Sequence, residues 1–567
     1  MKMNKNHALR AKKKFTNVRQ LVEWAAETYG ENTAYSYRIP AFAQEATKVS
    51  FTELRDQVRS LASEMLSMGC AGKHCALIGK FSHEWAITYF AALSIGAVLV
   101  PLDRDWLADD LADTVSKANA EFLFGDEDIK EKLNVIREKA SLSAEPVILL
   151  AKESENSLTK LIEAGRERFE ADPEAYLYAP INPMKMSLLV FTSGTTGKGK
   201  GVMLSQNAIL SDMYNVVPYI DFADKTVGVL PPHHTYGSTV MLIGHLSIGC
   251  EVYISSGIRY ITKELKSEKP RHLILVPLYL ETFYRKILSS LKDQNKYDLV
   301  MHTIRLSNAM RKLGIDSRKK LFGAIHAAFG GEVKMIISGG APLSPEILDF
   351  YDGIGIEVLN GYGITECAPL ISVNRSRHNV LGSVGSPIDD VEVRIDEPNE
   401  DGEGEILVKG PNVMLGYYND EEATSDAFKD GYFRTGDYGK MDKNGVIFIT
   451  GRKKNLIILS NGKNVYPEEI ESELVAVPGV IDVVVYEGQS KRGVTHNTVV
   501  AEIYPDKEFF EKEGIENIHC FFKPYVDNYN RHAVPYKKIG VLKVREEEFP
   551  KNTLRKIQRF KIDMTID

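Results

Sequence analysis

The sequence has few of the features that mark secreted, membrane-spanning or nucleic-acid-binding proteins. Its 567 residues include only five cysteines, and no Cys-x-x-Cys pair occurs, which argues against a disulfide framework or a zinc site and favours a reducing, cytoplasmic compartment. Lys and Arg (70) are outnumbered by Asp and Glu (77), so no basic excess attracts nucleic acid. The hydrophobic fraction of 44% and the charged fraction of 26% are those of a folded globular chain.

Targeting and membrane-spanning signals are also weak. Six basic residues lie within the first 14 positions, but no apolar segment follows them, so we expect a solvated arm, with contact to an anionic membrane surface as the alternative. The apolar stretch from Trp85 to Leu102 is long enough for a membrane span. Because Thr88, Ser94 and Gly96 interrupt it, it predicts instead a buried helix to about Ile95 and then a buried parallel strand.

Helical and strand patterns alternate along most of the chain. Residues 16–30 have apolar positions at helical spacing, with Thr16 as the expected N-cap and Gly30 as the stop, and residues 51–69 repeat the pattern. The alternation that follows predicts an α/β fold of mainly parallel sheets covered by helices. The predicted strands are HCALIG, GAVLVPL, AEFLFG, EPVILL, MSLLVFT, TVGVL, EVYIS, HLILVP and VKMIIS.

The pattern changes near residue 380. Closely spaced strands with turn signals at Asp401-Gly402 and Asn444-Gly445 predict an antiparallel β subdomain over about 380–450. A shorter α+β segment follows, with the helix PEEIESELVAV and the strands DVVVYEG and NTVVAEIYP. We therefore predict a large N-terminal domain over residues 1–453 and a small C-terminal domain over residues 454–567.

The glycine-rich segment SLLVFTSGTTGKGKGVMLS, residues 187–205, is the most informative part of the chain. A buried strand is expected to end at its start, and backbone N–H, hydroxyl and ammonium donors suited to a phosphate follow. The predicted phosphate-binding residues are Thr192, Ser193, Gly194, Thr195, Thr196, Gly197, Lys198 and Lys200. Gly194 to Lys200 also fits the start of a P-loop, but Gly201 stands where a P-loop needs Ser or Thr, so a P-loop protein is the weaker alternative.

The same segment resembles the phosphate loop of the adenylate-forming enzymes, which include acyl-CoA synthetases, firefly-type luciferases and peptide-synthetase adenylation domains. The family form has proline at the position of Gly199. The other motifs of this superfamily occur in its order and spacing from about residue 20 to the end of the chain. The resemblance therefore covers nearly the whole sequence.

The segment NGYGITECAP, residues 360–369, resembles the central nucleotide motif of the family. The resemblance implies that Tyr362, between Gly361 and Gly363, packs on adenine, that Thr365 donates to the α-phosphate and that Glu366 binds Mg²⁺. Taken alone, a Thr-Glu pair is more typical of a helix N-terminus. The segment SGGAPLSPEI resembles the loop that lines the adenine pocket, and the residues so implied are Gly339, Gly340 and Ala341.

Three later segments resemble the remaining motifs. GYFRTGD implies that Asp437 accepts hydrogen bonds from the ribose hydroxyls, and GRKKN implies that Arg452 lies near the nucleotide and Lys454 at a hinge that makes the C-terminal domain mobile. FPKNTLRKIQRF implies that Lys556 is the catalytic lysine. Arg555 stands where many relatives have glycine, as it does in some bacterial long-chain fatty acid ligases. In isolation, these basic stretches are typical of a solvated surface.

The acyl group is indicated by PPHHTYGSTVMLIGHLSIGC, residues 231–250, which resembles the family segment lining the acyl pocket. The implied pocket residues are His234, Tyr236, Gly237, Val240 and Met241. An apolar wall suits a medium- or long-chain fatty acid, and no charged partner for an amino group is evident. The alternative for the histidines is a helix start without ligand contact.

The resemblance implies ATP-dependent formation of an acyl-adenylate and then of a coenzyme A thioester, with ATP, Mg²⁺ and coenzyme A as cofactors and no nucleic-acid partner. The alternatives are an acyl–acyl-carrier-protein ligase or another enzyme that stops at the adenylate. A third alternative is a nucleotide-binding protein without enzymatic activity.

Overall fold

The computed structural model describes residues 8–142, 147–151, 154, 156–192, 199–459, 463–489, 495–551 and 557–566. Its α-helices are α1 Val18–Tyr29, α2 Phe51–Ser67, α3 His83–Ser94, α4 Ala108–Lys117, α5 Lys130–Lys139, α6 Leu158–Ala171, α7 Pro173–Leu177, α8 Gln206–Val216, α9 His245–Ile248, α10 Ile261–Glu268, α11 Pro277–Asp293, α12 Tyr297–Arg311, α13 Arg318–Leu321, α14 Gly323–Ala328, α15 Pro345–Ile354, α16 Glu421–Asp426, α17 Pro467–Leu474, α18 Lys507–Glu513 and α19 Ile518–His532. A π-helix, Tyr236–Gly244, precedes α9.

The β-strands are β1 Thr33–Tyr37, β2 Thr47–Ser50, β3 His74–Ile78, β4 Val98–Leu102, β5 Phe122–Asp126, β6 Ile148–Leu150, β7 Met186–Thr192, β8 Lys200–Ser205, β9 Lys225–Gly228, β10 Glu251–Ile254, β11 His272–Leu275, β12 Met335–Ser338, β13 Glu357–Gly363, β14 Leu370–Val373, β15 Ser386–Pro387, β16 Glu392–Asp396, β17 Gly404–Lys409, β18 Gly416–Tyr417, β19 Phe428–Lys429, β20 Tyr432–Met441, β21 Ile447–Arg452, β22 Ile457–Ile458, β23 Asn464–Val465, β24 Val480–Gln489, β25 Thr495–Pro505 and β26 Ile539–Val544. The mixed α/β class and the mainly parallel sheets of the first part are confirmed.

A seven-stranded sheet in the order β18-β8-β7-β4-β3-β5-β6 forms the first layer. The strands from β7 to β6 are parallel, whereas β8 and β18 run antiparallel to their neighbours. The long apolar stretch supplies α3 and β4, both of which are buried, so the predicted helix followed by a parallel strand is confirmed. In the described part of the chain, no helix is both long enough and apolar enough to cross a membrane.

Two further sheets bring sequence-distant loops together. One has the order β2-β1-β10-β9 and the other the order β11-β12-β13-β14-β15. The parallel register of β11, β12 and β13 places Leu275 beside Ser338, and Ser338 beside Asn360. The loops that follow these strands therefore meet at one sheet edge, where ligands of open α/β sheets bind.

The first helix begins one residue later than the sequence pattern predicts. Asn17 is the N-cap, and its side chain accepts a hydrogen bond from the backbone N–H of Gln20. Thr16 instead uses its hydroxyl to donate to the side chain of Gln20, at 2.7 Å. The predicted stop is confirmed, because Gly30 adopts a φ of +52°, which disfavours any residue with a Cβ.

The antiparallel region is confirmed. The strands β16, β17, β20 and β19 are neighbours, and β21 pairs with β20. The two Asp/Asn-Gly turns lie between β16 and β17 and between β20 and β21, with φ of +76° at Gly402 and +82° at Gly445. These values belong to the left-handed region that glycine occupies without strain.

The segment after β21 has a core of its own. The strands β24, β25 and β26 form one sheet, covered by α17 to α19, and the two hydrophobic clusters of this part contain only residues from Ile457 onward. The domain boundary at residue 453 stays a prediction. The two parts also contact each other: Arg285 of α11 donates to the carbonyl of Val480 at 3.0 Å, and Lys512 pairs with Asp293 at 2.5 Å.

Candidate functional site

The glycine-rich loop joins two antiparallel strands. Thr192 at the end of β7 pairs with Lys200 at the start of β8, and the hydroxyl of Thr192 donates to the carbonyl of Lys200 at 3.4 Å. A Cβ at Gly199 would lie 2.5 Å from the carbonyl oxygen of Thr192, so glycine permits this close approach. A P-loop continues into a helix, whereas this loop continues into a strand, which argues against the P-loop alternative.

The central part of this loop, residues 193–198, lies outside the described residues. The predicted phosphate ligands concerned are Ser193, Gly194, Thr195, Thr196, Gly197 and Lys198. Their roles stay predictions.

Lys200 is linked to the motif of Glu366 through an aromatic ring. Its Nζ lies 4.6 Å from the centroid of the Tyr417 ring, and the hydroxyl of Tyr417 donates to Oε1 of Glu366 at 3.0 Å. Tyr417 reaches this position because β18 pairs with β8. Sequence reasoning missed Tyr417, since nothing local in its Gly-Tyr-Tyr context indicates pairing with a strand about 200 residues earlier.

Glu366 is held by its own backbone as well as by Tyr417. The residues Thr365–Cys367 form one 3₁₀ turn after β13, and the N–H of Met414 donates to the carbonyl of Glu366 at 2.8 Å. Burial raises the pKa of the Glu366 carboxyl, and the Tyr417 hydrogen bond acts against that rise. Within the described residues this carboxyl forms no ion pair, so it is a half-buried acid that a cation would stabilise in its ionised form.

Because the sequence resemblance implies that Glu366 binds Mg²⁺ beside ATP, replacing Tyr417 by Phe is expected to shift the pH dependence of the KM for MgATP. The variant keeps the ring beside Lys200 and loses only the hydroxyl that favours the ionised Glu366, so the pKa of Glu366 rises further. Glu366 is ionised above its pKa. As pH falls, the variant should therefore lose affinity for MgATP at a higher pH than the unchanged protein does. The measurement is KM for MgATP against pH for both proteins. Identical profiles would contradict the expected effect of the Tyr417 hydroxyl on Glu366.

The buried residues Tyr362 and Asp437 form a polar group with the exposed Arg452. The hydroxyl of Tyr362 donates to Oδ2 of Asp437 at 2.7 Å, and Nε of Arg452 lies 3.0 Å from Oδ1 of the same carboxylate. Antiparallel pairing of β20 with β21 places Asp437 opposite Arg452. Asp437 is 3% exposed, and the guanidinium supplies the positive charge that its carboxylate needs there. The structure thus brings together three residues that the sequence motifs named separately.

A cleft of about 450 Å³ lies beside these two groups, and its lining includes the acidic residues Glu405, Asp420, Glu422 and Asp426. Lys200 and Tyr417 line one part of it, while Thr435 and Gly436, which directly precede Asp437, line another. Lys453 also lines it and pairs with Glu405 at 2.9 Å. The predicted phosphate ligand Lys200 therefore shares this cleft with the turn that leads into Asp437.

Two buried polar residues are hydrogen-bonded to the backbone around the turn that contains Glu366. Oδ2 of Asp212 in α8 accepts from the N–H of Leu370 at 2.8 Å, and Nδ2 of Asn412 donates to the carbonyl of Leu370 at 2.7 Å. Asn412 also reaches the carbonyl of Cys367 at 3.3 Å. Burial raises the pKa of Asp212 well above its usual range. The sequence does carry a signal for Asp212, because it is a lone acid within the apolar helix QNAILSDMYNV. It belongs to no recognised motif, however.

The predicted adenine loop meets the predicted acyl segment. Gly339 and Gly340 follow β12, and Gly340 has a φ of +91°. A Cβ at Gly339 would lie 3.3 Å from the hydroxyl of Tyr236, which donates to the carbonyls of Leu275 and Ile337 at 3.4 and 3.3 Å. Tyr236 is thus fixed across the ends of β11 and β12. Ala341 follows in the same loop, and Gly361 and Gly363 lie on the adjacent β13.

The acyl segment is a π-helix rather than a regular α-helix. π-helices are rare overall, but those that occur are often found at functional sites. The spacing of apolar residues in the sequence did not indicate one here. Val240 and Met241 are buried in the main hydrophobic cluster, and a Cβ at Gly237 would lie 2.1 Å from the carbonyl of Pro231. His234 has its ring 4.2 Å from that of His233, whose Nε2 lies 3.6 Å from Asp103.

A buried histidine pair follows this π-helix. Nε2 of His245 lies 2.9 Å from Nε2 of His272, the ring planes differ by 2°, and the centroids are 5.1 Å apart. The Sγ of Cys250 lies nearby, so the three residues have the composition of a metal site. Coplanar rings that face each other head-on have the geometry of an N–H···N hydrogen bond, whereas metal ligands point at a common third atom. We therefore assign a structural hydrogen bond here.

The predicted hinge residue Lys454 lies close to Arg452 and Asp437. Burial and the nearby charge of Arg452 lower the pKa of Lys454. Lys556 lies outside the described residues. On either side of that gap, Lys551 and Ile557 form an isolated antiparallel bridge, and Arg559 donates to the carbonyl of Val485 at 2.9 Å. The charge of Arg559 acts on Lys454, so Arg559 lies near the predicted hinge residue.

These features define a candidate mononucleotide site at the edge of a parallel sheet, and the chain is similar to known proteins with such a site. A family model for AMP-binding enzymes matches residues 22–418. Long-chain-fatty-acid–CoA ligase FadD15 of Mycobacterium bovis is 30% identical over 457 residues, which cover 77% of this chain and 75% of the relative. Long-chain-fatty-acid–CoA ligase 6 of Mus musculus is 28% identical over 517 residues, covering 83% of this chain and 72% of the relative.

Among solved structures, ATP-bound MatB from Rhodopseudomonas palustris is similar with a TM-score of 0.75 and 25% identity, over 96% of this chain and 98% of that one. The chain belongs to the AMP-binding enzyme family. The resemblance to adenylate-forming enzymes is confirmed.

Proposed function

We propose that this protein activates a medium- or long-chain fatty acid in two steps. The carboxylate attacks the α-phosphorus of ATP, so that acyl-AMP forms and pyrophosphate leaves. The thiolate of coenzyme A then attacks the acyl carbon, the thioester forms, and AMP leaves. The observation that carries the proposal is one cleft shared by Lys200, by Tyr417 on Glu366, and by the residues preceding Asp437, in a chain whose relatives are named long-chain-fatty-acid–CoA ligases.

The first step requires positive charge, because two anions meet and charge develops on the leaving pyrophosphate. We assign the phosphates to the β7–β8 loop with Lys200, and the α-phosphate to the hydroxyl of Thr365. Lys556 is assigned to the carboxylate and the α-phosphate as a fixed cation, since the acid is already ionised at neutral pH.

Glu366 is the proposed holder of Mg²⁺. Its side chain is half-buried, this burial raises its pKa, and among the described side chains only the Tyr417 hydroxyl is hydrogen-bonded to it. When bound, Mg²⁺ would neutralise phosphate charge, and it prefers few protein oxygens together with those of phosphate. The residue present therefore fits the ion.

Asp437 and Arg452 are assigned to the ribose, and Tyr362 with Gly339, Gly340, Ala341, Gly361 and Gly363 to the adenine. The Tyr362 hydrogen bond and the Arg452 ion pair hold the Asp437 carboxylate in one orientation. A carboxylate oxygen accepts more than one hydrogen bond, so both hydroxyls of a ribose can still be accepted. This pre-set orientation lowers the cost of ordering the site when nucleotide binds.

The second step is assigned to a rotation of residues 454–567 about Lys454, which withdraws Lys556 and admits the thiol. Hinges of this kind separate two half-reactions by excluding one set of groups while the other acts. An acyl carrier protein is the alternative acceptor. We place the enzyme in the cytoplasm, on the ground of its few cysteines.

The acyl chain is assigned to the π-helix with His234, Tyr236, Gly237, Val240 and Met241. This segment is apolar, and each methylene buried against it contributes about 0.8 kcal/mol. The contact of Tyr236 with the strand ends beside Gly339 supports this assignment, because transfer of an acyl group to the nucleotide requires the two sites to be neighbours.

The deciding experiment is product analysis with MgATP, coenzyme A and fatty acids from butyrate to stearate. We expect acid-dependent AMP and acyl-CoA, with the higher kcat/KM for medium or long chains. AMP with free adenylate but no thioester would indicate a carrier-protein acceptor. ADP as the product, or no acid-dependent turnover, would contradict the proposed function.

A further inference from the structure

One helix carries large apolar side chains in water. α12 packs on the core through Ile304 and Ser307, which are buried, and Ile304 lies close against α15: a Cβ at Gly353 would be 2.6 Å from it. The opposite face presents Leu299 and Leu306, which are 63% and 57% exposed and two helical turns apart. Exposed side chains of this size in one row mark a contact surface.

Two further large apolar side chains are exposed just after the helix. Leu313 and Ile315, in the turn after α12, are 79% and 52% exposed. We call the four residues Leu299, Leu306, Leu313 and Ile315, together with the cations Arg305, Lys312 and Lys320, the leucine–lysine surface.

The positive charge around these apolar side chains indicates a partner with negative charge. Residues 292–320 contain eight Lys and Arg against three Asp, in a chain whose net charge is −7. Within the described part of the chain, Arg305, Lys312 and Lys320 form no ion pair, so their charges are available. Two copies of the chain meeting at this surface would bring like charges together, which disfavours self-association.

The surface also lies on the segment that leads away from the proposed acyl site. The helices α11 to α14 connect β11 to β12, and the carbonyls at the ends of these two strands accept the hydroxyl of Tyr236. Fatty acids partition into bilayers, so a substrate of this class would be met at a lipid surface. This last step rests on the proposed function.

We propose that the leucine–lysine surface docks on an anionic phospholipid bilayer. A helix that is polar and basic on its flanks and apolar along one row lies in the plane of the membrane interface, with the apolar row among the acyl chains. Basic residues at its edge are attracted to anionic headgroups, and salt weakens this attraction.

The test is co-sedimentation with vesicles of phosphatidylcholine mixed with phosphatidylglycerol, and with vesicles of phosphatidylcholine alone. We expect the full chain to bind the anionic vesicles and to bind the neutral ones much less. Leu299→Gln with Leu306→Gln should lower partitioning at least about tenfold. Arg305→Gln with Lys312→Gln and Lys320→Gln should lower it about a hundredfold at low salt, at about fivefold for each charge.

The matched control is Leu107→Gln, because Leu107 is 72% exposed but lies far along the chain, before α4. It should bind vesicles as the unchanged protein does. Equal binding by all variants, or no binding of the unchanged protein to anionic vesicles, would overturn the proposal. So would a dimer that the leucine variants convert to monomer while vesicle binding stays the same.

Turnover of octanoate in vesicle-free buffer separates this proposal from the proposed function. We expect the leucine and the basic variants to keep the turnover of the unchanged protein, which also shows that they fold. A lack of acid-dependent AMP in the unchanged protein would contradict the function and leave the vesicle result standing on its own.

Discussion

Replacing Lys556 by alanine is expected to lower the rate of acyl-adenylate formation by about a hundred- to a thousandfold, which is the usual cost of removing one group that stabilises developing charge. The loss should fall on the first half-reaction only. Acyl-CoA formation from preformed acyl-adenylate should be nearly unchanged, because the proposed rotation about Lys454 moves Lys556 away from the site before the thiol attacks. The two rates are measured separately, by adenylate formation without coenzyme A and by single turnover of added acyl-adenylate.

The control for this experiment is Lys561→Ala. Lys561 belongs to the same C-terminal segment, and its Nζ lies over the ring of Phe560 at 5.7 Å, on the surface. Both half-reactions should stay near the unchanged rates in this variant. An equal loss of both half-reactions in Lys556→Ala would show that the lysine does not act in the first step alone.

The parts of the fold that the sequence predicted well are those set by local pattern. The β7 strand ends at Thr192 because glycines and hydroxyls replace its apolar run, and α1 ends at Gly30 because only glycine accepts that φ without strain. The prediction of Thr16 as the N-cap was wrong by one residue, because the neighbouring Asn17 is at least as good a cap. Local chemistry fixes the end of a helix only to within a residue or two.

The contacts within the candidate site could not be predicted from the sequence. Motifs named Tyr362, Asp437 and Arg452 one by one, but the bonds among them depend on sheet register between distant segments. Tyr417 carries no motif and contacts Glu366 only because β18 pairs with β8. The head-on pairing of His245 and His272 likewise needs the packing of two separate elements. Residues that act through tertiary neighbours leave no periodic signal in the sequence.

Replacing Glu366 by glutamine should lower kcat/KM for ATP in the adenylate-forming step by about a hundredfold and raise the Mg²⁺ concentration needed for half-maximal rate. The glutamine oxygen can still accept from the Tyr417 hydroxyl, and the backbone bond between Glu366 and Met414 is unaffected, so the turn should keep its shape. Only the negative charge is removed. Mg²⁺ titrations of the initial rate measure both effects.

Glu421→Gln is the matched control for that experiment, because it removes a carboxylate from the exposed first turn of α16 without touching Glu366. Its Mg²⁺ requirement should equal that of the unchanged protein. If Glu366→Gln lowered the rate without changing the Mg²⁺ requirement, the carboxylate would be acting on the shape of the turn and not on the ion. The raised pKa of Glu366 gives an independent check, since acidification protonates the same carboxyl. The unchanged protein should therefore need more Mg²⁺ as pH falls through that pKa, whereas the glutamine variant should show no such dependence.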